Sequence, residues 1–572
     1  MNSQKFTRYF TNTILTVIIL FLISISANAQ YFLKAYQVPS AITKKIDIGR
    51  SIQRDLWGTD LWSIAGYTNS NPAGDFDWTF LKLDNLGNII CSTVLGFPYA
   101  DSCFSHTQIL ADTMYHSSRF VLSGFYTNPG QMKRKASFSI LDTNCNHILS
   151  KQINDTLRNE YRQVIRDNSV NSNFVLTGFT EYPVSMSLLK NKIIASRYNS
   201  AGAKLWGYKY TNGYPSDDEA YSICNTTDGG YAITGRTNMY TTGTNWDVFV
   251  TRLTPAGIPM WTKIYHKDSS SVSSEARRII LMPDGGFVIT GWTNYNDPSN
   301  CDILVMRINS AGALIWSYTI GIHGKIERGY SIILASDGNL VLTGLTNFAG
   351  NEDVLIVKIT PTAPVGLIWA RYYNNALAGS MGERGYDLKE SFTPAGYAFT
   401  GIVNPTALTS DIMFMKTNVA GLVNTVCPTS LTMQVIQAPY TIRETYLQYI
   451  PFNDIVINPQ WTRPVPTVTT LCNVTGTGEN NYNVPTEYKL KQNYPNPFNP
   501  TTNIEFSIPN DGPVSLKLYD ISGKEVFVLL NENKIKGSYI VSFNASELSS
   551  GVYFYKLESG SFSDVKTMTL IK

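Results

Sequence analysis

The chain has 572 residues, 43% hydrophobic and 12% aromatic but only 16% charged, with 46 basic against 43 acidic side chains. So low a charge, with 41 glycines and 34 tyrosines, points to extended β-structure and away from helical bundles or disorder. A formal charge of +3 provides no concentrated basic face for nucleic acid.

In chain order, Met1 to Ala29 comes first. Lys5 and Arg8 precede an apolar run from Ile14 to Ile25, followed by Ala27-Asn28-Ala29. This is the three-part pattern of a secretory signal peptide, and the run is well short of the roughly 20 residues a membrane-spanning helix requires. Cleavage after Ala29 would leave a mature chain starting at Gln30, with no transmembrane anchor. Export permits disulfides, and seven cysteines remain, an odd number. Proximity along the chain suggests Cys91 with Cys103 and Cys427 with Cys472. No pair has the spacing of a zinc or redox motif, so no metal and no cofactor is expected.

An internal repeat follows. Asp228-Gly229-Gly230-Tyr231-Ala232-Ile233-Thr234-Gly235-Arg236-Thr237-Asn238 recurs at Asp284 to Asn294 and at Asp337 to Asn347. Weaker copies place repeat glycines at 66, 124, 178, 235, 291, 344 and 401, spaced 53 to 58 residues apart. Each copy breaks into four short extended pieces separated by Asp-Gly-Gly or Pro-Ala-Gly turns, which predicts a four-stranded antiparallel meander. One such sheet cannot bury both faces, so the copies must stack, and radial closure of seven gives a β-propeller over 30–427. An aspartate opens the third strand in five copies (Asp77, Asp247, Asp302, Asp353, Asp411) and a lysine in the other two (Lys135, Lys192). Trp206, Trp261, Trp316 and Trp369 follow the next turn, where large rings would wedge neighbouring blades. The last blade is completed by Tyr31 to Tyr36 or by Leu422 to Cys427.

The tandem Asp-Gly-Gly, Thr-Gly and Thr-Asn signature resembles the repeats of bacterial secreted β-propellers, a fold that hosts adhesins, scaffolds, lyases and hydrolases alike. Acidic residues stand near the start of the first strands: Asp47, Glu160, Asp218 or Glu219, Glu275, Glu327 and Glu383. They define a candidate carboxylate ring at one channel mouth for a cation or a basic group. Arg50, Arg278, Arg328 and Arg384 are its candidate ion-pair partners. The five histidines are scattered, and there is no nucleophile elbow, zinc-protease helix or phosphate-cradling loop. The expected function is therefore a non-catalytic scaffold, acting as a single copy, for an unknown protein or glycan ligand. Specificity would lie in the off-pattern loops Asn69–Phe76, Tyr182–Leu189 and Met239–Trp246. The alternative is a polysaccharide hydrolase or lyase using channel carboxylates.

Residues 428–485 carry prolines and then an Asn-, Thr- and Gly-rich stretch, and read as an irregular connector and linker. From 486 to 572 the chain alternates apolar and polar residues between turns, predicting a small β-sandwich. Asn493-Tyr494-Pro495-Asn496-Pro497-Phe498-Asn499-Pro500 opens it. Tyr519-Asp520-Ile521-Ser522-Gly523-Lys524-Glu525-Val526 lies at its centre, and Ser550-Gly551-Val552-Tyr553-Phe554-Tyr555-Lys556-Leu557 precedes the terminal Lys572. These segments closely resemble the C-terminal sorting domain, type A, of the bacterial type IX secretion system. The resemblance implies export through the inner membrane, then outer-membrane translocation by the type IX machinery. It further implies removal of the tail and a cargo that is released or attached to surface lipopolysaccharide.

Overall fold

A computed structural model describes residues 31–571 with short breaks, the longest at 39–45, 374–381 and 474–486. The signal segment Met1 to Ala29, and with it the expected cleavage point, lies outside the described residues. The protein is all-β. Seven sheets of five strands each fall in one compact unit, and a three-stranded and a four-stranded sheet fall in a second.

Each of the first six repeat copies supplies the first four strands of one sheet and the seventh supplies three, the sheets being numbered 1 to 7 by the order of the copies in the chain. In sheet 4 these strands are Asp218–Asn225, Tyr231–Thr237, Asp247–Leu253 and Pro259–His266, all antiparallel. The repeat signature has a physical reason at every position. Gly229, Gly285 and Gly338 of the Asp-Gly-Gly turns have φ near +80° (+78°, +82° and +81°), where a side chain is disfavoured. The turn aspartates bond the third strand: Asp228 to Arg252, Asp284 to Arg307 and Asp337 to Lys358. In the five copies with threonine before the repeat glycine, it donates to a third-strand carbonyl, as Thr234 does to Phe249 at 2.7 Å and Thr343 to Leu355 at 2.9 Å. The closing asparagine accepts the amide leading into the first strand: Asn238 from Asp217 at 2.7 Å, Asn294 from Ser273 at 2.6 Å and Asn347 from Ile326 at 2.8 Å.

Between sheets the contacts are equally regular. A tyrosine hydroxyl at the end of the fourth strand donates to a turn carbonyl of the following sheet: Tyr210 to Gly257 at 2.9 Å, Tyr265 to Gly312 at 2.8 Å and Tyr373 to Gly421 at 2.6 Å. Trp206, Trp261 and Trp369 pack flat on those same turn glycines, leaving no room for a Cβ. Separate hydrophobic clusters join sheet 1 to 2, 2 to 3, and so on to 7, and a further cluster with Tyr36, Ile52, Ile64 and Phe414 joins sheet 7 to sheet 1. Of the two strands considered for completing the last copy, the N-terminal one takes the place. Phe32–Gln37 pairs antiparallel with Thr409–Asn418, and Tyr36 donates to Gly87 of sheet 1 at 2.5 Å, the same bond its counterparts make. Residues 424–427 of the competing segment lie outside the described residues.

The segment expected to be an irregular connector has an order the repeat does not announce. Thr429–Leu431 adds a fifth strand to sheet 6, Gln434–Gln437 to sheet 5, Thr441–Thr445 to sheet 4 and Gln448–Pro451 to sheet 3. Asp454–Ile457 then joins sheet 2, Gln460–Thr462 sheet 1 and Thr467–Asn473 sheet 7, beside the N-terminal strand. The chain thus retraces the sheets in reverse and covers each fourth-strand edge, which would otherwise offer unpaired N–H and C=O groups. Prolines stand at or between these strands (Pro439, Pro451, Pro459, Pro464, Pro466), where a missing N–H costs no ladder bond.

The disulfide differs from expectation. Cys91 of sheet 1 bonds Cys145, in the turn between the third and fourth strands of sheet 2, with Cα atoms 6.1 Å apart. Cys103 is instead a free thiol buried in the first strand of sheet 2. Proximity along the chain misled here because the stacking of sheets brings outer turns together. Cys427, and so its pairing with Cys472, lies outside the described residues.

In the second unit, Lys489–Leu490, Thr501–Ile508 and Gly537–Asn544 form one sheet. Glu525–Lys534, Gly512–Tyr519, Gly551–Ser559 and Phe562–Leu570 form the other. The alternation read in the sequence places Leu490, Phe506, Leu516, Leu518, Tyr555, Leu557 and Met568 in one shared core.

Candidate functional site

The site begins with the repeat glycine. At all seven positions (Gly66, Gly124, Gly178, Gly235, Gly291, Gly344, Gly401) a Cβ would overlap a first-strand carbonyl: Ile48, Ser102, Glu160, Glu219, Glu275, Arg328 and Arg384 in turn. This close approach accompanies a β-bulge in the first strands of sheets 2 to 7, which leaves one residue of each outside the pairing register. Bulges re-aim side chains. The residues so released are Phe104, Arg162, Tyr221, Arg277, Tyr330 and Tyr386, with Arg50 at the same place in sheet 1. All seven line a single cavity of about 70 Å³. They are half-buried within otherwise buried strands.

These seven touch in sequence. Arg50 lies 5.5 Å from the Phe104 ring centre, and Arg162 lies 4.3 Å from Phe104 and 5.7 Å from Tyr221. Arg277 lies 4.4 Å from Tyr221, the Tyr330 and Tyr386 rings are 5.2 Å apart, and Arg50 sits 4.0 Å over Tyr386. Arginine over an aromatic face is favourable, more so away from bulk water. One residue further along each strand, side chains serve the framework. First-strand amides of one sheet donate to the preceding sheet's side chain: Ile223 to Gln163 at 2.7 Å, Ile279 to Ser222 at 3.1 Å, and Ile52 of sheet 1 to Asp387 of sheet 7 at 3.1 Å.

The candidate carboxylates fall into two sets. Asp47, Glu327 and Glu383, with Asp218, sit at the very start of the first strand, buried and turned into the sheet. Asp47 accepts from Thr68 at 2.5 Å, Asp218 from Thr237 at 2.5 Å and Glu327 from Thr346 at 2.8 Å, while Glu383 accepts from the Asn404 amide at 3.3 Å. Burial pushes the Glu327 carboxyl up to about 7, and nearby Asp302 adds to the rise. The third-strand lysines gain their explanation at this level. Lys192, fully buried, holds Asp218 at 2.6 Å, and Lys135 bonds Asp155 at 3.4 Å.

Glu160, Glu219 and Glu275 stand one residue later, next to each other on sheets 3, 4 and 5, and each is held by arginine. Glu160 meets Arg162 at 2.6 Å, Arg158 at 2.8 Å and Arg134 at 3.0 Å. Burial raises its carboxyl, but these three guanidinium groups outweigh that and keep it below the ordinary range. Arg236 bridges Glu219 and Glu275 at 2.8 Å each, and Arg277 also pairs with Glu275. Of the arginines expected to act as partners, Arg278 pairs with Asp387, Arg384 with Glu352, and Arg328 donates to Cys301 Sγ at 3.3 Å. Arg162, Arg277 and the four aromatic residues were missed as site residues. Their signal is positional: each stands two residues beyond the carbonyl the glycine touches, and the position holds an arginine or an aromatic ring in every copy. Among the described residues no group of three His, Cys, Asp or Glu side chains is placed to hold a metal ion.

In the second unit the Asn-Tyr-Pro-Asn-Pro-Phe-Asn-Pro segment straps the last strand. Asn493, buried, donates its side-chain amide to Thr502 at 2.9 Å and its backbone amide to the Tyr555 hydroxyl at 2.8 Å. Asn496 accepts from the Thr569 amide at 2.8 Å. Phe498 is buried, donates to the Thr569 carbonyl at 3.0 Å and accepts from the Ile571 amide at 3.0 Å. Pro500 accepts from the Ala545 amide at 2.8 Å. Asn499 is exposed and Pro497 likewise, while Tyr494 and Pro495 lie outside the described residues. Gly523, at φ +81°, closes the Asp520 turn, and Gly551 begins the strand that carries Tyr555.

Residues 492–572 match the model of a secretion system C-terminal sorting domain. The tail is thus a type IX sorting domain, which engages the type IX machinery, and the protein is exported to the cell surface or secreted. No helix among the described residues is long and apolar enough to cross a membrane. No curated protein matches the chain.

Proposed function

We propose that residues 30–427 form a seven-bladed β-propeller, closed by the N-terminal strand and girdled by the strands of 429–473. We read it as a non-catalytic binding scaffold for protein or glycan, delivered through the type IX route. The cyclic series of shared cores and the tyrosine bond from Tyr36 to Gly87 support the closed ring. The observation that carries the scaffold reading is the pairing of Glu160, Glu219 and Glu275 with arginine. Glycoside cleavage needs a carboxylic acid of raised pKa facing a second carboxylate across the substrate. Glu160 is instead held ionised, and Glu327, whose carboxyl is raised, is bonded inside its own sheet.

The test is to incubate the mature protein with a polysaccharide panel and a glycan array. Retention without new chain ends is expected. Turnover abolished by Glu160→Gln or Glu275→Gln would overturn the reading in favour of a hydrolase or lyase.

A further inference from the structure

The position released by the bulge carries an arginine or an aromatic ring in all seven copies. Three of the seven are arginines, and a fourth, Arg278, also lines the cavity. Arg162, Arg277 and Arg278 each have a carboxylate in Glu160, Glu275 and Asp387. Arg50 is stacked between Phe104 and Tyr386 and has no acidic partner among the described residues. Arg162 keeps a second demand, because its Nε–H is buried without an acceptor, and an unmet charged donor is costly. The cavity therefore has four guanidinium groups against three carboxylate partners, and Arg50 is the cation left for an anion.

Its size limits what enters. About 70 Å³ has room for a few waters or one oxyanion group, and is too small for a sugar ring or a peptide backbone. The surface beside it continues the same chemistry. Lys133, Arg134 and Arg158 line a hollow of about 340 Å³ with Glu181. The Arg134 and Arg158 side chains are 49% and 39% exposed. Both are tied through Glu160 to Arg162, so cavity and rim form one cationic track. The second and third strands of sheet 3, Phe174–Ser185 and Leu188–Tyr198, are longer than in sheet 4 and project beside this rim with Leu188 and Leu189 exposed.

We infer that the arginine-and-aromatic cavity and its Lys133–Arg134–Arg158 rim bind an acidic glycan: one pendant carboxylate or sulfate enters beside Arg50, and further charges along the chain meet the rim. An arginine cluster also recognises acidic peptides, the rival that poly-L-glutamate represents in the test below, whereas peptides that add a strand to a sheet edge or fill an apolar pocket find neither here. The fourth-strand edges are already covered by the strands of 429–473, and the track offers charge and flat ring faces in place of an apolar pocket. This inference rests on the scaffold reading for its site but not for its chemistry, since an enzyme acting on acidic glycans would show the same recognition.

The experiment measures affinity of the mature protein for polygalacturonate, dextran sulfate, neutral dextran, poly-L-glutamate and inorganic sulfate at two salt concentrations. Binding to at least one acidic polysaccharide, weakened by salt, and none to neutral dextran is expected. Arg50→Met, which keeps the stacked stem, and the exposed pair Arg134→Gln/Arg158→Gln should each weaken it about tenfold or more. Lys263→Gln, on the outer strand of sheet 4, should leave it unchanged. The rim pair keeps the test valid if Arg50→Met fails to fold, as judged by thermal melting. Absence of binding to both acidic polysaccharides, an equal loss in Lys263→Gln, tighter binding to poly-L-glutamate, or binding of inorganic sulfate alone would each overturn the inference. Release of reducing ends would overturn only the scaffold reading.

Discussion

The two units carry their information in opposite ways. In the seven-sheet unit each framework residue occurs several times, so its structural role can be read by comparing copies, and the candidate site lies where the bulge leaves a side chain out of register. The C-terminal unit occurs once, and its most recognisable residues turn out to be framework. Asn493, Phe498 and Pro500 strap the last strands, and Gly523 closes a turn. A recognisable motif thus marked destination in the tail and framework in the sheets, while the proposed binding residues sit where a bulge breaks the pairing register.

The sharpest way to break this comparison is to place a methyl group on one glycine of each unit. Gly235→Ala drives a Cβ into the Glu219 carbonyl and should cost about 3 kcal/mol or more of the sheet unit's stability in chemical denaturation. Gly523→Ala meets open space at φ +81° and should cost only about 1 kcal/mol. Equal losses would deny the repeat glycine its role at the bulge.

Removing the staple between sheets 1 and 2 by Cys145→Ser should come next, at about 2 to 4 kcal/mol, the usual range for a disulfide. Mass spectrometry of the unreduced protein should find the Cys91–Cys145 peptide and an alkylatable Cys103 once unfolded. A Cys91–Cys103 peptide would contradict the packing of these two sheets.

The smallest effect expected is electrostatic. Because burial raises the folded Glu327 carboxyl to about 7 from its ordinary value of 4.5, the native state holds an extra proton between those values. Stability from this group is full below about pH 4.5 and is lost as pH rises to 7, at about 3 kcal/mol at most. Glu327→Gln should remove that component of the pH dependence. An unchanged slope would place the titration elsewhere.

Much of this was legible in the residues. The seven copies, their four strands and the β-sheet tail all follow from period, alternation and turn chemistry, while the strand completing the last copy stayed open between Tyr31 to Tyr36 and Leu422 to Cys427. Two things did not. The strands of 429–473 have three to seven residues each, too short for periodicity, and their prolines read as loop because the links between strands carry them. The bulge residues were overlooked because attention fell on the acids beside them. A one-residue offset separates Glu160, Glu219 and Glu275 from Asp47, Glu327 and Glu383, and only the pairing register reveals which side of the strand each occupies.

The central claim is a division of labour: a tail that addresses the protein outward and a sheet unit that folds and acts without it. Deleting residues 488–572 and locating the product by protease accessibility in intact and lysed cells tests it directly. The account predicts a truncated chain held in the periplasm, shielded in intact cells, and still resistant to protease as a folded sheet unit after lysis. Normal appearance of that truncation at the surface, or its rapid degradation as an unfolded chain, would contradict the account.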